Sequence, residues 1–166
     1  MVRKARLRDA PAIHNLVSFY AQRGLLLPRS LSSIYEHIRD FWVWEEDGEI
    51  LGCCALQIVW DDLAEIRSFA VKEGRKGEGI GKALIDACLQ EARELGVGKI
   101  FSLTYVKDYF ERFGFSVVDK SELPHKVWGD CVNCPKFPQC DEIAVILELD
   151  GSSGGCLEES FQADRR

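Results

Sequence analysis

Basic charge is what this sequence has too little of. Its 166 residues carry 21 Lys and Arg against 27 Asp and Glu, a formal charge of -6, whereas affinity for nucleic acid rests on clustered Lys and Arg that neutralise phosphates. Small-molecule chemistry is the better expectation. Long apolar runs are missing too. The longest, Ile50 to Trp60, is interrupted by Gln57 and falls well short of the roughly 20 residues that a membrane-spanning helix needs. The basic start, Met1-Val2-Arg3-Lys4-Ala5-Arg6, leads straight into a helical pattern, without the apolar stretch and small-residue cleavage site of a secretory signal. The chain reads as cytoplasmic, with neither a nucleic-acid nor a membrane partner. Its seven cysteines are an odd number, and Cys53, Cys54 and Cys88 fall in apolar patterns where a reduced thiol behaves as a small hydrophobe. Disulfides are not expected in that compartment.

What is present is an ordinary globular composition, 46% hydrophobic and 29% charged, which allows a proper core and excludes a disordered or collagen-like chain. Residues 1–149 read as one α/β domain, and 150–166, rich in Gly, Ser and charge, as a disordered tail. Val2 to Leu7 suits a first strand, and Asp9-Ala10-Pro11 offers an N-cap with an early proline for a helix that carries Ile13, Leu16, Val17 and Tyr20. Ser30 can cap a second helix with Leu31, Ile34, Tyr35 and Ile38 on one face. Phe41 to Glu45 and Ile50 to Val59 flank Asp47-Gly48, a hairpin signal. Leu63 to Lys72 suits a further strand, ahead of a glycine-rich segment and an amphipathic helix from Gly79 to Leu95, with Ile80, Leu84, Ala87, Cys88 and Leu95 near one face. A strand at Lys99 to Leu103 makes a parallel pair with the preceding one the natural solution. A short helix (Lys107 to Phe113), a strand from Phe115, a cysteine-bearing loop and a last strand from Ile143 to Leu149 complete the domain.

The segment Lys76-Gly77-Glu78-Gly79-Ile80-Gly81-Lys82 lies between a strand and a helix start, where unpaired backbone N–H groups and the positive end of the helix dipole converge on an anion. Glycines let the backbone approach a pyrophosphate without Cβ interference, and Arg75, Lys76 and Lys82 add charge. The segment lacks the Lys-Ser/Thr ending of a nucleoside-triphosphate loop, and its glycines follow the fourth strand, not the first as in a dinucleotide fingerprint.

Glu65-Ile66-Arg67-Ser68-Phe69-Ala70-Val71, then Lys76 to Gly81, then Tyr109-Phe110-Glu111-Arg112-Phe113-Gly114-Phe115 together resemble the Gcn5-related N-acetyltransferase family across nearly all of residues 1–149. The resemblance implies a mixed, mostly antiparallel sheet with splayed central strands and flanking helices, and acetyl-CoA as cosubstrate. Carried over, Phe69, Ala70 and Val71 would give backbone contacts to the pantetheine, and Lys76, Gly77, Gly79 and Gly81, with Lys82 beside them, would hold the pyrophosphate. Lys76 stands where the family usually has Arg or Gln. Direct acetyl transfer needs a free amine, a polarised thioester carbonyl and a proton for the thiolate. Glu65 is the candidate base, against a reading as a solvated strand-end carboxylate. A backbone N–H near Phe69 would polarise the carbonyl. The family's frequent tyrosine donor is replaced by Phe110, leaving Tyr105 as the candidate acid, against a core or surface role for it and for Tyr109.

The segment Gly24 to Leu31 lies where the family's acceptor enters, and Arg29 can hold a carboxylate bidentately. With Glu65 to Ser68 and Asp141-Glu142-Ile143-Ala144-Val145, it resembles the acetyltransferase domain of the amino-acid N-acetyltransferases that make N-acetylglutamate, in their short stand-alone form. That implies L-glutamate as the small-molecule acceptor, in arginine biosynthesis, with Arg29 on one carboxylate and Arg67 or Lys126 on the other; a homodimer stays open. Other readings are another amine acceptor, or a non-catalytic CoA- or metal-binding module. Cys131, Cys134 and Cys140, with His125 nearby, have a spacing that would suit zinc, but only one C-x-x-C pair exists, and free thiols with no metal are expected.

Overall fold

The computed structural model describes residues 1–123 and 142–149. The chain divides into two compact units, residues 1–57 with 66–90, and residues 58–65 with those from 91 onward. Among the described residues seven strands, numbered β1 to β7 along the chain, form one sheet in the order β1-β2-β3-β4-β5-β7-β6, within the mixed α/β fold expected from sequence.

In the first unit, β1 (Val2–Lys4) pairs antiparallel with β2 (Phe41–Glu46), which pairs antiparallel with β3 (Glu49–Trp60). Asp47 and Gly48 have φ of 51° and 80°, the two left-handed positions of a primed two-residue turn. β1 is shorter than the sequence suggests, because Leu7–Asp9 turns into a 3-10 helix. The helices α1 (Ala10–Ala21) and α2 (Leu31–Glu36) cover this sheet. Ile13, Val17 and Tyr20 of α1 meet Ile34 of α2, Phe41 and Val43 of β2, Cys53 and Ala55 of β3, and Ala70 in one core.

Three details depart from the pattern-based expectations. Asp9 does not cap α1 with its side chain. Its carboxylate is buried and takes two hydrogen bonds from the Arg3 guanidinium, at 2.7 and 3.0 Å, and one from the Arg6 N–H. α2 ends at Glu36, and of its apolar residues only Ile34 is buried, Leu31 and Tyr35 being exposed; one and a half turns are too short to hold a full stripe against the core. Leu95 is exposed at the last residue of α3 (Ile80–Leu95), where the helix runs out of surface to cover.

α3 starts close to β3 because Gly52 lets it. A Cβ built at Gly52 would come within 2.9 Å of both Ile80 Cγ2 and Leu84 Cδ1, so the absent side chain is what seats the first turns of α3.

In the second unit, the start of β4 (Leu63–Val71) runs parallel to β5 (Lys99–Thr104), with Leu63, Ala64 and Glu65 opposite Lys99, Ile100 and Phe101. β5 pairs antiparallel with β7 (Ile143–Glu148), and β7 with β6 (Ser116–Val118). Leu63, Phe101, Leu123 and Ala144 form its core. The short helix α4 (Lys107–Glu111) precedes β6. Lys126, His125, Cys131, Cys134 and Cys140, and the tail 150–166, lie outside the described residues.

Candidate active site

Leaving β4, the backbone turns at once, with the Arg75 N–H bonded to the Lys72 carbonyl at 3.0 Å. Gly77 and Gly79 then take φ of 84° and 86°, and a Cβ built on either would meet no atom within 4 Å. Two residues that favour left-handed backbone thus present their open sides to free space. The Ala83 N–H bonds the Gly79 carbonyl at 3.0 Å, so the amides of Ile80, Gly81 and Lys82 belong to the first helical turn, which has no intrahelical acceptors for them. Open backbone and unpaired donors suit a pyrophosphate.

The basic side chains around this loop are not equivalent. The Arg75 guanidinium is bound by Glu46 at 2.6 Å and Glu78 at 2.9 Å, so its charge, expected from sequence to face the anion, is balanced locally. Lys82 pairs with Asp86 at 2.6 Å on the exposed face of α3. Lys76 is exposed, and its ammonium lies 4.8 Å over the ring of Tyr20. Tyr20, buried on α1, donates its hydroxyl to the Val71 carbonyl. Phe69 is half-buried, and Ala70 and Val71 are buried.

Arg29 is only 9% exposed. Its Nη2 lies 3.2 Å from Ser33 Oγ and its Nη1 3.5 Å from Ser68 Oγ, and its guanidinium carbon sits 5.2 Å over the Phe41 ring. Ser68 is left-handed, φ 51°, in the middle of β4, a conformation that costs a non-glycine residue about 1–2 kcal/mol. Its carbonyl accepts from the Cys53 thiol at 3.3 Å, and burial pushes that thiol up to about 12, so it stays protonated and able to donate. Arg29 also lines an open pocket of about 440 Å³ with His14, Ser18, Ala21 and Gln22 of α1 and with Pro28 and Ser30, within the size range of small-molecule sites. Arg67 donates to Gln57 Oε1 at 2.8 Å.

These geometries sit beside a match of residues 9–115 to the model of the acetyltransferase (GNAT) family. The chain belongs to that family. It is an N-acetyltransferase with acetyl-CoA as cosubstrate. An uncharacterized N-acetyltransferase of Chlorobaculum tepidum is 45% identical over 148 residues, 89% of this chain and 96% of that one. An amino-acid acetyltransferase of Mycobacterium tuberculosis is 40% identical over 133 residues, 78% of this chain and 76% of that one. Among solved structures, the N-acetylglutamate synthase of Neisseria gonorrhoeae complexed with coenzyme A and N-acetyl-glutamate superposes with a TM-score of 0.82 at 28% identity, over 90% of this chain and 35% of that one.

Of the GNAT residues carried over from sequence, the loop from Lys76 to Lys82, Phe69 to Val71 and Arg29 all belong to the first unit, whereas Glu65 and Tyr105 belong to the second. Glu65 is half-buried opposite Phe101. Tyr105 is half-buried just after β5, beside a turn in which the Val106 N–H donates to Thr104 Oγ1 at 2.9 Å. Phe110, which replaces the frequent family tyrosine, is buried edge-on against Phe115 at 5.2 Å, and Tyr109 packs on Phe113 at 5.4 Å. The sequence reading missed Ser33, Ser68, Phe41 and Tyr20. A serine inside an apolar strand was the one available signal, and it does not reveal a left-handed residue.

Proposed function

We propose that this N-acetyltransferase acetylates the α-amino group of L-glutamate, making the N-acetylglutamate of arginine biosynthesis in the cytoplasm. The observation that carries the reading is the buried Arg29, a residue that lines a pocket of amino-acid size. A guanidinium held among two hydroxyls and a phenyl face is pre-oriented, and its planar fork matches a carboxylate. The short relative named as an amino-acid acetyltransferase and the N-acetyl-glutamate complex of the Neisseria enzyme favour the same acceptor.

In this mechanism Lys76, Gly77, Gly79 and Gly81 hold the pyrophosphate of acetyl-CoA, with Lys82 adding charge nearby. The backbone of Phe69, Ala70 and Val71 meets the pantetheine, and a backbone N–H near Phe69 polarises the thioester carbonyl. Glu65 takes the ammonium proton of the acceptor, directly or through water. The neutral amine attacks the carbonyl carbon, the C–S bond breaks as the tetrahedral intermediate collapses, Tyr105 gives its proton to the departing thiolate, and the proton that the nitrogen sheds on becoming an amide passes to solvent, from which Tyr105 is reprotonated. Arg29 binds one acceptor carboxylate, and Arg67 or Lys126 the other.

Thiol release from acetyl-CoA across a panel of glutamate, glutamine, other amino acids and polyamines tests the acceptor. Glutamate is expected to give the highest kcat/KM, and Arg29→Ala to raise the glutamate KM by at least tenfold with little change for acetyl-CoA, as loss of a charged hydrogen bond requires. Faster turnover of a polyamine or a neutral amino acid would reject glutamate as the acceptor.

A further inference from the structure

Arg29 carries its charge at the end of a long, rotatable side chain, and a carboxylate clamp works only if that end is already in place. Three groups meet it from three elements. Ser33 Oγ of α2 accepts from the Arg29 Nε–H at 3.4 Å and from Nη2 at 3.2 Å. Ser68 Oγ of β4 accepts from Nη1 at 3.5 Å. Phe41 of β2 lies under the guanidinium, 5.2 Å from its carbon, inside the range of a cation–π contact. All three are neutral groups, and each meets a different part of the guanidinium.

The position of Ser68 is itself maintained. Extended β4 backbone would alternate its side chains between the two faces of the sheet, whereas φ of 51° at Ser68 re-aims both its side chain and its peptide. The Cys53 thiol, fully buried on β3, donates to the Ser68 carbonyl at 3.3 Å. A locally unfavourable conformation that persists inside a core is held there by its surroundings, and here the surroundings are Cys53 below and Arg29 beside.

We infer that Ser33 and Ser68 are positioning residues that fix the Arg29 guanidinium for the acceptor's carboxylate, the second of these hydroxyls being placed by the left-handed backbone at Ser68, whose carbonyl accepts from Cys53. The inference rests on the reading of Arg29 as the carboxylate clamp. It extends that reading to residues that act on the acceptor through Arg29.

Two substitutions separate the hydroxyl from the fold. Ser68→Gly removes the hydroxyl while favouring the left-handed backbone, and Ser33→Ala removes the other hydroxyl while keeping or improving helix propensity. In each variant the glutamate KM is expected to rise about fivefold or more, as for a lost hydrogen bond to a charged group, with kcat and the acetyl-CoA KM within twofold. Ser33→Thr, which keeps the hydroxyl, should restore the KM. Crystals of the two variants should show a displaced guanidinium, a readout that needs no acceptor. A guanidinium in its original place in both variants overturns the inference. So does an unchanged glutamate KM in both when Arg29→Ala, run alongside, raises it. If Arg29→Ala also leaves the glutamate KM unchanged, the carboxylate-clamp reading is what fails, and the crystals alone decide whether the serines fix Arg29.

Discussion

Arg3 and Asp9 make the most constrained ion pair among the described residues of the first unit. Asp9 is 4% exposed and accepts from Arg3 twice, while Arg3 also binds Glu45 at 2.8 Å. Removing one partner would strand a buried charge, so Arg3→Ala is expected to cost about 3 kcal/mol of folding stability, measured by urea denaturation at neutral pH. The same pair fixes a pH dependence. Burial alone would push the Asp9 carboxyl up, but the hydrogen bonds from Arg3 and the Arg6 N–H, and the Arg3 charge, outweigh it and hold it below its ordinary 3.8. A carboxyl depressed in the folded state binds its proton more readily when unfolded. Its contribution is therefore complete above about pH 4 and is lost as pH falls through the lower folded value. Asp9→Asn should lower stability at neutral pH and flatten the acid limb of the stability curve below pH ~4. An acid limb identical to that of the unsubstituted protein would assign the acid sensitivity to other carboxylates.

At the scale of elements, the contact that sets the glycine loop is the one between α3 and β3. Because a Cβ at Gly52 would press on Ile80 and Leu84 at 2.9 Å, Gly52→Ala is expected to destabilise by about 1–3 kcal/mol, as overpacked cores do. Differential scanning calorimetry of the variant checks it, and a midpoint equal to that of the unsubstituted protein would show that α3 shifts without penalty. Elements governed by adjacent residues were legible in the sequence. The Asp47-Gly48 turn, the Ser30 cap of α2, whose hydroxyl accepts from the Ser33 N–H at 3.0 Å, and the glycine loop before α3 each follow from local backbone chemistry. What could not be read depends on contacts between distant positions. Asp9 reads as a cap until Arg3 folds onto it, and Arg75 reads as an anion ligand until Glu46 arrives from 29 residues away. Ser33 and Ser68 gain meaning only when Arg29 is placed between them, the second of these 39 residues along the chain. Hydrophobic periodicity overstates α2 for a related reason: it registers Leu31 and Tyr35 as a stripe but carries no information on whether a partner surface reaches them.

For the molecule as a whole, acetyl-CoA should act as a stabiliser, because a ligand that binds only the folded chain shifts unfolding by mass action. At a hundred times its dissociation constant the increment is about 2.7 kcal/mol, or a rise in melting temperature of roughly 5–10 °C for a chain of this size. The size of that increment in variants locates the pyrophosphate. Lys76 is exposed, so Lys76→Ala should leave the unliganded melting temperature nearly unchanged and reduce the increment at a fixed acetyl-CoA concentration. Gly79→Glu places a negative side chain on the open side of the loop, where φ is 86°, and so combines charge repulsion with backbone strain of about 1–2 kcal/mol. Its unliganded form should melt lower for that reason alone, which makes the difference between liganded and unliganded melting temperatures the quantity to compare. That difference should shrink most in Gly79→Glu, less in Lys76→Ala, and not at all in Ser33→Ala, whose hydroxyl serves the acceptor side of the same unit. A full increment in folded Gly79→Glu would move the pyrophosphate away from the start of α3 and leave the open glycines as a turn that merely begins a helix.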